Sequence, residues 1–143
     1  MLGSCAVTDR AAGLIEAVIE RLLGDRDIPD RTVFAGAETL PARVRALTAA
    51  MFGFYERTYR WFYLLGAELT DVPAVGRADV EFRQAMGALY AEALAGTEEN
   101  LLARTTAGLV HPATLSALKE AGLSVDEAVD VVADAIVQRA GRQ

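Results

Sequence analysis

Between positions 40 and 69 large apolar side chains recur at helical spacing, and they cover more of the helix than one packing face needs. At about 100° per residue, Leu40, Val44, Leu47, Met51, Phe54, Trp61, Leu65 and Leu69 share one arc. Phe52, Tyr55, Tyr59, Phe62 and Tyr63 widen it to about 200°. Gly53, Glu56, Arg57 and Arg60 fall opposite. A helix resting on a single neighbour needs an apolar arc of only about 100°. This segment therefore predicts a central helix, or one that serves a core on one side and a cavity on the other.

Tyr55, Tyr59 and Tyr63 stand at i, i+4 and i+8 along the border of the arc nearest the charged face. Tyrosines at such a border keep their hydroxyls in water while burying the ring. The same stripe also fits a pocket wall, apolar and aromatic with a few hydroxyls to orient a guest. If there is a pocket, the facing wall comes from a second helix on which Phe82, Met86 and Tyr90 share one side. Methionine suits such a site because it is unbranched and adaptable. The candidate ligand-binding set is Met51, Tyr55, Tyr59, Phe62, Tyr63, Phe82, Met86 and Tyr90, with Tyr59 at its middle.

The rest of the chain is helical in pattern, and strand-like alternation is missing. A first helix is expected over 8–23, with Thr8 as N-cap, Gly24 as its stop, and Leu14, Ile15, Val18 and Leu22 on one face. A loop rich in Asp, Gly and Pro follows. Thr39 and Pro41 open the 40–69 helix. Another helix covers about 77–95, supported by Asp79 and Arg83 at i,i+4; it either continues through Gly96 or restarts at Thr97 and runs to Leu102. Pro112 begins a short helix that Gly122 closes. Ser124 and Glu127 have capping-box spacing at the head of a last helix ending near Ala140. The expected class is all-α, with six to seven helices in one domain spanning 1–143.

Length and charge narrow the functions. A chain of 143 residues folds without needing metals or disulfides, and the single Cys5 cannot form an internal disulfide, in keeping with a cytoplasmic setting. The start reads as no signal peptide, and every apolar run is broken by charge well short of the roughly 18 residues of a membrane span. The net charge of −6, with Lys119 as the only lysine and the arginines scattered, argues against direct binding to a phosphate backbone.

Catalytic signals are thin. His111, the only histidine, precedes Pro112 at a helix start and reads as a cap or surface residue. No Ser-His-Asp set, glycine-rich phosphate loop or Cys/His cluster is present. Asp126, Asp130 and Asp134 form an acidic stripe that could share a divalent ion but reads better as a solvated face. No enzyme, cofactor or metal is expected. The opposite face of the last helix carries Val125, Val129, Val132, Ala133 and Ile136. With Leu115 and Leu118 of the preceding short helix it makes a terminal hairpin that either caps the core or pairs two copies as a four-helix bundle.

The order of these features resembles the C-terminal regulatory part of TetR-type transcriptional regulators. In "VTDRAAGLIEAVIERLL", Arg10, Leu14, Ile15, Ala17 and Val18 match the helix that leads away from that family's DNA-binding head. Val7 stands where phenylalanine is usual, and "MLGSC" is unlike the end of a recognition helix. "RVRALTAAMFGFYERTYRWF" is similar to the family's fifth and sixth helices, and "LVHPATLSALKEAGLSVDEAVDVVADAIVQ" to its dimerising pair. The resemblance implies a homodimer that binds a small hydrophobic effector between its helices and reaches DNA only through a head domain missing from this chain. From the residues alone, a stand-alone ligand-binding or protein-interaction module and a small all-α enzyme remain as alternatives.

Overall fold

A computed structural model describes the backbone of residues 2–24, 27–66, 71–97 and 100–142; the side chains of 2–8, 22–23 and 59–66 lie outside the description. Six α-helices and one 3₁₀ turn make up the described residues, with no strand among them: α1 (Leu2–Gly24), the turn (Arg31–Phe34), α2 (Leu40–Gly66), α3 (Pro73–Ala93), α4 (Asn100–Leu109), α5 (Pro112–Glu120) and α6 (Val125–Ala140).

Local chemistry sets most of the boundaries. At α6 the Ser124 hydroxyl accepts from the Glu127 amide at 3.1 Å, and the Glu127 carboxylate accepts from the Ser124 amide at 2.7 Å, which is the expected capping box. Gly122, at φ 96, makes the left-handed turn between α5 and α6 that other residues resist. Three expected boundaries are corrected. α1 does not begin at Thr8 but extends back to Leu2. α3 begins at Pro73 rather than Arg77, because proline fits the first helical position and Val72 before it is extended. Past Gly96 the helix does not run straight through: α3 ends at Ala93, Gly96 turns the chain at φ 87, and a separate α4 forms, ending at Leu109 rather than Leu102.

α2 is the central helix its wide arc requires, lying against α3, α5, α6 and the 3₁₀ turn. Val44, Leu47, Met51, Phe52 and Phe54 are fully buried. So are the hydroxyls of Thr48 and Thr106, each donating to the carbonyl four residues back, Val44 and Leu102, at 2.8 Å. Arg43 ties the start of α2 to the end of α3. Its guanidinium donates to the carbonyls of Ala93 (3.2 Å), Ala95 (2.9 Å) and Glu38 (2.7 Å), occupying acceptors that the helix end leaves without partners.

The apolar face of α6 packs on α2 within the same chain. Val129, Val132, Ala133 and Ile136 are buried there, and Leu115 of α5 is buried beside them. The pairing surface expected of these residues is thus corrected: they are core, and a second copy cannot reach them. Leu118 and Val125 are half-buried against the same core. The stripe Asp126, Asp130 and Asp134 is exposed, and Asp130 pairs with Arg45 of α2.

Candidate functional site

Beside the core, α2, α3 and the α4–α5 junction diverge around a half-open cleft of about 640 Å³, within the usual range for small-molecule sites. Phe54, Tyr55 and Thr58 form the α2 wall, and Asp79 and Phe82 the α3 wall. The third wall is α5 and its cap: His111, Pro112, Ala113, Ser116, Ala117 and Glu120. The rings of Phe54 and Phe82 stack across the α2–α3 contact with centroids 5.6 Å apart, and Tyr55 tilts against Phe54 at 5.9 Å. A smaller cleft of about 290 Å³ adjoins the first at Tyr55, Pro112, Ser116 and Glu120 and includes the ion pair of Lys119 with Glu56 (2.6 Å).

The hydroxyls of Thr58 and Tyr90 already have uses for their protons. Thr58 donates to the Phe54 carbonyl at 2.7 Å. Tyr90 donates to the Val110 carbonyl at 3.1 Å, and its hydroxyl is also hydrogen-bonded to that of Tyr55. The chain Tyr55 to Tyr90 to Val110 links the cleft wall on α2 through α3 to the junction ahead of α5. Burial pushes the Tyr55 hydroxyl up to about 12, the bond with Tyr90 opposing the rise. Burial also raises Tyr90, and its closeness to Tyr55 adds to the effect. His111 caps α5: its Nδ1 accepts from the Ala113 amide at 3.1 Å, which leaves the ring proton on Nε2. Asp79 is paired with Arg83 at 2.6 Å.

Of the residues expected to bind a ligand, Tyr55 and Phe82 line the cleft. Met51 and Met86 are buried in the core instead, among the apolar side chains of α2, α3 and α6. Tyr90 is half-buried behind Tyr55 and acts through its hydrogen bonds. Tyr59, Phe62 and Tyr63 lie on α2 with side chains outside the described residues. The α5 wall was missed from the sequence. Ala113, Ser116, Ala117 and Glu120 sit at i, i+3, i+4 and i+7, one helical face, but they are small or polar, and a search for apolar stripes passes over them.

Among the described residues, no group of three or more His, Cys, Asp or Glu side chains is arranged to hold a metal ion, and no helix is long and apolar enough to cross a membrane. Comparison with protein-family models, curated proteins and solved structures finds no match to this chain.

Proposed function

We propose that the chain is a ligand-binding regulatory domain of the TetR type, taking a small, largely apolar effector in the cleft between α2, α3 and α5. The observation that carries the reading is the cleft itself: about 640 Å³, walled by Phe54, Tyr55 and Phe82, with a few oriented polar groups. A module that only packed against partners would have filled this space with its own side chains. The site binds rather than catalyses: Asp79 is held by Arg83, and the histidine Nδ1 is engaged by the Ala113 amide.

The order of elements supports the family part of the proposal: a long first helix, a central aromatic helix and a terminal hairpin, in the order the resemblance implies. On this reading the domain works in the cytoplasm and pairs with a second copy, but through a surface other than Val129, Val132, Ala133 and Ile136. DNA would be reached only through a separate head, since an acidic chain of net charge −6 is poorly suited to phosphate.

Titration with the neutral fluorescent probe N-phenyl-1-naphthylamine tests the binding site. We expect saturable binding at one site, weakened at least fivefold by Ala117→Trp, which places an indole in the cleft from an exposed position, with unchanged helix content by circular dichroism. Absence of saturable binding, or binding indifferent to Ala117→Trp, would remove the ligand-site reading. Sedimentation velocity at tens of micromolar reads the pairing: a monomer ends that part of the proposal.

A further inference from the structure

Resting on that reading, we infer that the cleft selects a protonated amine carried on an aromatic or apolar body: the walls stack the body, and the rim accepts hydrogen bonds from the ammonium group. Three observations converge on this.

The first is which hydrogen-bonding capacity is left over. Thr58 has given its proton to the Phe54 carbonyl. Its hydroxyl therefore presents only oxygen lone pairs to a guest, so it rewards a donor and cannot serve an acceptor such as a carboxylate or sulfonate.

The second is charge. Among the described lining residues there are two carboxylates, Asp79 and Glu120, and no lysine or arginine. Asp79 is offset by Arg83, and the nearby Lys119 by Glu56. Glu120 has no ion-pair partner among the described residues. As the last residue of α5 it lies where the negative end of the helix already disfavours a carboxylate. A bound cation at this edge relieves that repulsion, and it does so for either cleft, since Glu120 borders both.

The third is the aromatic wall. Phe54, Tyr55 and Phe82 supply ring faces whose quadrupole attracts a cation and repels an anion. A neutral guest gains only the apolar contact, whereas an ammonium gains the rings, the lone pairs and Glu120 together.

Three naphthalene probes that differ in one group separate these ideas: 1-naphthylmethylamine (ammonium at pH 7), 1-naphthalenemethanol (neutral) and 1-naphthoate (anion), each titrated by calorimetry into the full chain. The ammonium should bind about tenfold more tightly than the alcohol, and the carboxylate most weakly. Glu120→Gln should bring the ammonium-to-alcohol ratio most of the way to one, and 0.5 M salt should lower that ratio in the wild type. Equal binding of ammonium and alcohol overturns the amine selectivity and leaves the apolar cleft standing. Tighter binding of the carboxylate overturns it outright. A ratio untouched by Glu120→Gln removes the role given to Glu120. If none of the three binds, the ligand-site reading falls with the inference.

Discussion

α6 and α1 carry the same kind of apolar stripe and end in opposite situations. On α6, Val132 and Ile136 are 3% and 0% exposed because α2 lies along them. On α1, Leu14, Ile15 and Val18 are 68%, 48% and 51% exposed. α1 instead meets α3 through another of its sides, where Ile19 is buried and Glu16 and Glu20 receive Arg77 at 3.3 and 2.8 Å. Helical spacing says which residues share a face; whether that face is covered depends on the neighbour. α6 follows a four-residue connection after α5 and falls onto the wide apolar arc of α2. α1 is separated from α2 by a long loop and rests on α3 at a largely polar seam.

Charging the covered face should give the largest effect. Ile136→Asp places a carboxylate where neither water nor a cation reaches it, a cost of more than about 4 kcal/mol. We expect the chain to be largely unfolded at 25 °C by circular dichroism. A folded monomer would mean that α6 can leave α2 without loss of structure, and the comparison would lose its covered half.

The smaller contact is the next test. Ile19→Ala removes the buried apolar anchor of α1, with an expected loss of about 2 kcal/mol. The Arg77 pairs, more than half exposed on the arginine side, add less than about 1 kcal/mol. Because the main core does not include α1, the loss should be local. Hydrogen exchange should quicken in α1 while α2 and α6 keep their protection. Uniform quickening would show that α1 folds with the core as one cooperative unit, and the two helices would then differ in exposure but not in coupling.

How much of this could be read from the sequence follows the same division. The width of the α2 arc indicated a central helix, and Ser124, Glu127, Pro112 and Gly122 marked α5 and α6, because caps and turns are local chemistry. The partner of a face is not local. The valines of α6 look the same whether α2 or a second chain covers them, which is why the hairpin could be read as a pairing surface. Tyr55 and Phe82 were legible as cleft walls by their spacing on two helices. Met51 and Met86 share that spacing, but their depth along the helices puts them in the core. The α5 wall, made of small and polar residues, carries no hydrophobic signal.

Alkaline pH acts on the core while sparing α1, which has no tyrosine. Burial raises the Tyr55 hydroxyl from its ordinary value near 10 to about 12. Below pH 10 it is neutral in both folded and unfolded chains. Above pH 10 the unfolded chain ionises first and binds fewer protons, so stability falls until about pH 12. Allowing for the partial exposure of Tyr55, the loss attached to it is about 1–2 kcal/mol. Chemical denaturation at pH 9 and pH 11 should show it, and Tyr55→Phe should reduce the difference. A wild type equally stable at both values would mean that the Tyr55–Tyr90 pair is as well solvated as the open stripe of α1.

The smallest expected effect falls on that stripe and tests the comparison most directly. Ile15→Asp changes a side chain 48% exposed in the single chain, on a helix outside the main core. If water is what the stripe meets, the substitution leaves the unfolding free energy within about 0.5 kcal/mol and the exchange pattern of α2 and α6 unchanged. Measuring the melting temperature of wild type and variant at 1 and 100 µM gives the result a second dimension. A stripe that meets water gives values independent of concentration for both proteins. A wild-type melting temperature that rises with concentration, together with a variant that has lost the rise, would show a second copy lying on Leu14, Ile15 and Val18. The open stripe would then be a covered one, and α1 would differ from α6 only in that its covering belongs to another chain.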